Sequence, residues 1–199
     1  GYLTAVTAAC GPVVYRGDQF PEKYRRTAFF CEPSAHFVRM LDLTEQHGLT
    51  SGKHALQNRE FLASTDERFR PVNLCTAPDG SLFLVDLYHG IVQHKAYLTR
   101  YLREHVEHRD LASHPRLGRV YRIRYRDNPL GPQPRMLQKR PVDLVADLAH
   151  PNGWWRDTAQ QLLIDRQDRS VVPALNLLAA DVQQPLGQIH ALWTLEGLE

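Results

Sequence analysis

The hydrophobic pattern of this chain changes period near residue 130, and that change limits the fold more than any single motif does. Before it, short apolar runs recur at 11–15, 27–31, 36–43, 72–76, 81–86 and 119–125. Runs of this length, separated by Gly, Pro, Asp and Ser, read as antiparallel strands. Arg16-Gly17-Asp18 reads as a turn, 20–24 as a loop or a single helical turn, and Gly48 and Gly52 as loop marks. Residues 127–140 hold three prolines and a glycine and read as a linker. From Pro141 the apolar residues recur three and four apart, as on a helix face.

The expected domains are therefore a strand-rich part over 1–126, a Pro-rich linker over 127–140 and a helical part over 141–199. One excursion interrupts the strands. Within 96–108 the apolar residues fall at 97, 98, 101, 102 and 106, which is a helical stripe. The helical part repeats. Val142, Val145 and Leu148 match Val172, Leu175 and Leu178, each 30 apart, while Ala159 and Leu163 match Ala191 and Leu195, each 32 apart. Two helix pairs with a period near 30 point to HEAT-like repeats, with Pro173 and Pro185 in first turns where proline is tolerated. Ile189, Leu192, Trp193 and Leu195 form the expected apolar stripe of the fourth helix, and Trp154, Trp155 and Trp193 read as contacts between helices.

Composition narrows the function classes. Of 199 residues, 43% are hydrophobic and 23% charged, as in a globular domain, and no apolar run is long enough to cross a bilayer. The net charge of +2 gives no global attraction to nucleic acid. That decides the reading of Arg122, Arg124 and Arg126, which alternate with Tyr121, Ile123 and Tyr125: an outer strand with its aromatic side inward and its arginines outward. Cys10, Cys31 and Cys75 lack metal or haem spacing; Cys31 and Cys75 fall in expected strands, and buried free thiols are expected in preference to a disulfide. His89, His94, His105 and His108 invite a metal reading. His105-Val106-Glu107-His108 is not a zinc-protease order, so a solvated helix face is expected and no metal site is assigned.

The candidate binding residues lie at 68–89. Arg68 and Arg70 stand two apart before a strand, so in extended chain they share one face and can aim two guanidinium forks at one anionic group. The other use open to them is pairing with Asp66, Glu67 or backbone carbonyls. Pro78-Asp79-Gly80 then closes a hairpin: proline fixes φ, aspartate caps the turn and glycine takes positive φ. Asp86, at the end of the return strand, and Tyr88 and His89 after it follow the hairpin turn as candidates for a substrate-facing rim.

Four segments in order carry a family resemblance. They are Tyr15-Arg16-Gly17-Asp18-Gln19-Phe20-Pro21, Arg68-Phe69-Arg70-Pro71-Val72, Pro78-Asp79-Gly80-Ser81-Leu82 and Gly118-Arg119-Val120-Tyr121-Arg122. Together with the helical tail they resemble the last blades of the quinoprotein glucose and sorbosone dehydrogenase-like β-propellers. The likeness is to the large bacterial membrane-bound dehydrogenase branch of planctomycete-type genomes, in which HEAT repeats follow the propeller. The resemblance implies the terminal blades of a β-propeller, all-β and antiparallel, followed by an all-α HEAT-like solenoid segment. It implies a sugar or alcohol dehydrogenase with pyrroloquinoline quinone as cofactor, calcium held in blades outside this chain, and a c-type cytochrome as electron acceptor. Periplasmic or cell-surface placement follows from the same likeness. Arg68 and Arg70 occupy the positions at which relatives contact the quinone, whose carboxylates suit guanidinium forks. Relatives also carry a Lys whose counterpart falls near Pro33, in Cys31-Glu32-Pro33-Ser34, where no Lys stands. The rival reading is a non-catalytic propeller–solenoid scaffold that binds carbohydrate or protein. No residue is assigned a catalytic role. The opening Gly-Tyr-Leu-Thr-Ala reads as the interior of a longer protein, and a piece with uncovered sheet faces is expected to associate.

Overall fold

The computed structural model describes residues 6–113 and 117–199. Antiparallel sheets make up the earlier part and helices the later part, with no closed barrel among the described residues. Two compact units emerge, and they are not simply consecutive. The first comprises Gly1–Tyr15, Lys23–Cys75 and Leu82–Ile123; the second comprises Arg16–Glu22, Thr76–Ser81 and Arg124–Glu199.

In the first unit, strands β1 (Cys10–Val14), β2 (Thr27–Glu32), β3 (Phe37–Gln46) and β4 (Leu49–His54) follow one another in sequence order across one sheet. The short β5 (Leu62–Ala63) pairs with the start of β3, opposite Phe37 and Val38. Strand β2 is buried on both faces because Thr27, Phe29 and Cys31 alternate inward and Glu32 also lies inside. Phe29 meets Phe61 edge-on at 4.8 Å between centroids. The loop expected at Gly48 and Gly52 is instead the hairpin that makes β4. His47 and Gly48 both take positive φ, 53° and 75°, the geometry of a two-residue turn whose twist suits a hairpin. Leu49–His54 is largely exposed and shows no apolar alternation, so its strand rests on backbone pairing with Leu41–Gln46.

A second sheet runs β6 (Pro71–Thr76), β7 (Leu82–Asp86) and β8 (Arg119–Ile123). The chain leaves it after β7 for helix α1 (Arg100–His108), which Thr99 caps through its Oγ1 on the Leu102 N–H at 3.2 Å. The helix is shorter than the apolar stripe from residue 96 suggests; Lys95–Tyr97 is a separate 3₁₀ turn. Strand β8 differs from its expectation too. Val120 is 66% and Tyr121 37% exposed, so both faces lie open, as on an edge strand, and the strand stops at Ile123. Cys75 is exposed rather than buried, whereas Cys31 is fully buried.

The second unit holds helices α2 (Pro141–Asp147), α3 (Gly153–Arg166), α4 (Val172–Ala180) and α5 (Pro185–Gly197). Leu144, Val145, Leu148, Trp155, Ala159, Leu163, Leu175 and Ala191 form its apolar core. Residues 127–140 are irregular apart from a 3₁₀ turn at Met136–Gln138, and they are tied down: Met136 is buried in that core, and Arg166 donates to the carbonyls of Lys139 and Leu137. In α5 the buried stripe is rotated from the expected one. Gly187, Ala191 and Thr194 face inward, while Ile189, Leu192 and Trp193 are each more than half exposed.

Two loops from the strand-rich sequence belong to this helical unit. Gln19 is buried; its Nε2 donates to the carbonyls of Tyr125 and Asn128 at 2.7 and 2.9 Å, and its Oε1 accepts from the Tyr125 N–H. Arg16 forks onto Asp157 at 2.8 and 2.9 Å, and its carbonyl accepts from the Gly153 N–H at 2.7 Å. A Cβ at Gly153 would stand 2.8 Å from the Arg16 side chain, so glycine is needed for this approach. Gly80 takes φ +81° in the Pro78-Asp79-Gly80 turn, and the Pro78 carbonyl accepts from Trp155 Nε1 at 2.8 Å. Asn152, fully buried, donates through Nδ2 to the carbonyls of Ala77 and Pro78 while its Oδ1 caps α3 on the Trp154 N–H.

Candidate functional site

The five residues singled out by sequence, Arg68, Arg70, Asp86, Tyr88 and His89, all lie in the first unit. The structure joins four of them. Asp86 ends β7 fully buried, and its Oδ1 accepts from the backbone N–H of Arg70 and of Tyr88, both at 2.8 Å. The Leu87 N–H donates to the Arg70 carbonyl at 2.9 Å, which extends the β6–β7 pairing by one step. Tyr88 is then held at φ 46°, a conformation that costs energy in any residue with a Cβ and persists only when its surroundings fix it. His89 turns its Nδ1 to the Ile91 carbonyl.

Arg70 is the centre of this arrangement. It is 7% exposed, and three of its guanidinium N–H groups donate to carbonyls: Nε to His89 at 3.0 Å, Nη1 to Pro33 at 2.7 Å and Nη2 to Gly90 at 2.7 Å. One side chain thus ties the turn after β2 to the loop after β7. Burial pulls the guanidinium below the usual arginine value, while the charges of Asp86 and Glu67 oppose the shift. Gly90 fits under this brace only as glycine, because a Cβ would lie 2.5 Å from the Leu111 carbonyl oxygen. Above the loop, the Arg119 guanidinium sits 3.5 Å from the centre of the Tyr88 ring, a cation–π contact.

Arg68 does not share Arg70's target. Its Nη1 donates to the Ser113 carbonyl at 3.2 Å and its Nη2 to the Asp110 carbonyl at 2.6 Å, at the C-terminal end of α1. The reason is local. Residues 66–69 form a turn, with the Phe69 N–H donating to the Asp66 carbonyl and the Arg68 N–H to Asp66 Oδ1, so the two-residue alternation of an extended segment does not apply. Both arginines therefore serve backbone carbonyls, the second use that the sequence left open.

Arg68 also lines an open polar pocket of about 350 Å³ with Thr65, Asp66, Glu67, Arg109 and Leu111. Glu67 sits between two nitrogen-bearing side chains there: His105 Nε2 lies 3.1 Å from Oε1 and Arg109 Nη1 3.9 Å from Oε2. Sequence reading named Glu67 only as a partner for Arg68 and Arg70, and it missed Arg109. The signal available was Glu67 beside Arg68, but which residues α1 would return to it depends on a contact some forty positions away. The Pro33 carbonyl, at the position where the resemblance expects a lysine, accepts from Arg70 Nη1 at 2.7 Å. Among the described residues no group of three or more His, Cys, Asp and Glu side chains is placed to hold a metal ion. The network can position a loop and present guanidinium charge to an anion; it shows no paired nucleophile and base.

The matching family model is that of a domain of unknown function (DUF7133), which covers residues 1–127, and the chain belongs to that family. No curated protein matches this sequence, and no solved structure does.

Proposed function

We propose that this member of the family is the terminal-blade and helical-repeat part of a quinoprotein-like dehydrogenase that oxidises a sugar or related alcohol. In that protein a base would take the hydroxyl proton, hydride would pass to pyrroloquinoline quinone, and a cytochrome would carry the electrons away. The four motifs support this reading. So do the sequential antiparallel order of β1 to β4, as in a propeller blade, and the two stacked helix pairs, as in HEAT-like repeats. The base and the calcium ligands belong to parts of the longer protein outside these residues.

The observation that carries the assignment of roles is the buried Arg70 on three carbonyls. In this reading Arg70, with Asp86, shapes the rim loop 86–91. Arg68, which lines an open pocket beside Arg109, supplies the anion contact. The rival, a non-catalytic scaffold binding carbohydrate or protein, draws on the same carbonyl bonds and on Pro33 standing where relatives have lysine.

Titration of pyrroloquinoline quinone separates the two. The dehydrogenase reading expects the longer protein to bind the quinone and to reduce a dye with an aldose. Arg68→Ala should weaken quinone binding by about tenfold, the loss of one charge-assisted contact of roughly 1.4 kcal/mol. Arg70→Ala should lower affinity together with order in the 86–91 loop. Absence of quinone binding, or binding that ignores both substitutions, overturns these roles and leaves the scaffold.

A further inference from the structure

The geometry points to Cys10 and Cys31 as a redox-active pair that closes to a cross-strand disulfide on exposure to a small-molecule disulfide. The two residues are direct partners in the antiparallel register of β1 and β2. Directly opposed residues in such a ladder have Cα atoms about 4.5–5.5 Å apart and point to the same face. That separation falls inside the range of about 4.4–6.8 Å that disulfides span.

The register is held from two sides. Gly11, the next residue, takes φ +54° at a ladder irregularity and lies against β6, where a Cβ would meet the Asn73 Cα at 2.5 Å. Ahead of the strand, the buried Glu32 accepts from the Thr7 and Ala8 N–H groups at 3.2 and 2.9 Å through Oε2. Cys10 is thereby fixed opposite Cys31 rather than left to slide.

Access and reactivity differ between the two thiols. Cys10 is partly exposed and Cys31 fully buried. Burial, then the neighbouring Cys10 charge, pushes the Cys31 thiol up to about 12; burial and Glu32 raise Cys10. The exposed partner therefore reacts first. Cys10 thiolate attacks RSSR to form Cys10–S–SR and release RS⁻. Cys31, deprotonated, then attacks the Cys10 sulfur and expels the second RS⁻. The protein loses two electrons and two protons, and RSSR becomes two RSH. Because both thiols are held protonated, closure should be slow at neutral pH and should accelerate by about tenfold per pH unit above it. Cys75, exposed and on strand β6 rather than on β1 or β2, serves as an internal reference.

The test uses the whole chain, reduced and then incubated with oxidised glutathione, denatured, alkylated with iodoacetamide and weighed. The expected product takes up alkyl or glutathione at one site only, Cys75, has lost two hydrogens, and yields a joined pair of tryptic peptides spanning 1–16 and 27–39. Cys75→Ser should close equally well, and Cys10→Ser should leave Cys31 alkylated and unjoined. A native crosslink should raise the melting temperature by several degrees relative to the reduced chain. Three alkylated cysteines, glutathione adducts that never resolve, a bond to Cys75 in place of Cys31, or a lowered melting temperature would each overturn the pair.

Discussion

The two units solve opposite problems with different chemistry. In the helical unit, the core packed between the helices is apolar: Leu144, Leu148, Leu163 and Leu175 are at most 1% exposed and touch other apolar side chains. In the sheet unit, the residues that set loop geometry are charged: Arg70, Asp86 and Glu32 are buried, and each bonds backbone groups rather than a side chain of opposite sign. An apolar core fixes where elements lie, because it gains with area and is indifferent to direction. A buried charge fixes where particular carbonyls and N–H groups point, because an unmet one is costly. Loop positions that carry function need the second kind of control.

The sharpest way to break this comparison is to remove one member from each side. Arg70→Ala removes three charge-assisted bonds, those to the carbonyls of Pro33, His89 and Gly90, and should cost about 3–5 kcal/mol. Hydrogen exchange should rise at 33–36 and 86–91, with the helices unchanged. Leu163→Ala, in the helical core, should cost about 2–5 kcal/mol and should show its faster exchange in α2 to α5 instead. Urea melts of both variants, read with exchange mass spectrometry, check the sizes and the places. A loss below about 1 kcal/mol for Arg70→Ala would mean that water replaces its donors easily and that the network is not what holds the loop.

A smaller effect is expected at Asn152, which bridges both strategies within the helical unit. Its Oδ1 caps α3, and its Nδ2 donates to the carbonyls of Ala77 and Pro78. Asn152→Ala loses both the cap and the donor; Asn152→Asp keeps the cap but turns a buried carboxylate oxygen onto the carbonyls of Ala77 and Pro78. The aspartate variant should therefore be the less stable of the two by about 1 kcal/mol or more. An aspartate variant as stable as the wild type would assign all of the residue's value to the cap.

Legibility in the sequence followed the same division. Elements held by apolar pattern were readable: β2, β3, β6, β7 and all four C-terminal helices lie where periodicity places them. Elements held by backbone were not. Strand β4 has almost no buried side chain, and its one local signal, His47-Gly48 as a two-residue turn, is weak outside the fold. Asp86, Tyr88 and His89 could be singled out as a group because they follow a strand. That Arg70 rather than Arg68 would join them depended on a turn at Asp66 and on carbonyls from two distant loops. In α5 the apolar residues are more numerous than the buried positions, so composition could not say that Ala191 and Thr194, not Leu192 and Trp193, face inward.

The smallest effect is the one that pH should expose. His150 stacks on Trp155, ring centroids 4.9 Å apart, and its Nδ1 accepts from the Asn152 N–H at 3.0 Å, a bond that needs that nitrogen unprotonated. Burial lowers its pKa below the ordinary 6.5, with Asp18 and Asp147 opposing. Burial and Arg156 lower His190 in the same way, against Asp157. A lowered value means that the unfolded chain takes up protons first as pH falls. The contribution of both histidines to stability is therefore whole above about pH 6.5 and declines below it, until the folded protein protonates as well. The melting temperature should fall between pH 7 and pH 5, and His150→Gln combined with His190→Gln should flatten that part of the curve. A slope unchanged in the double variant would show that neither histidine carries the acid sensitivity.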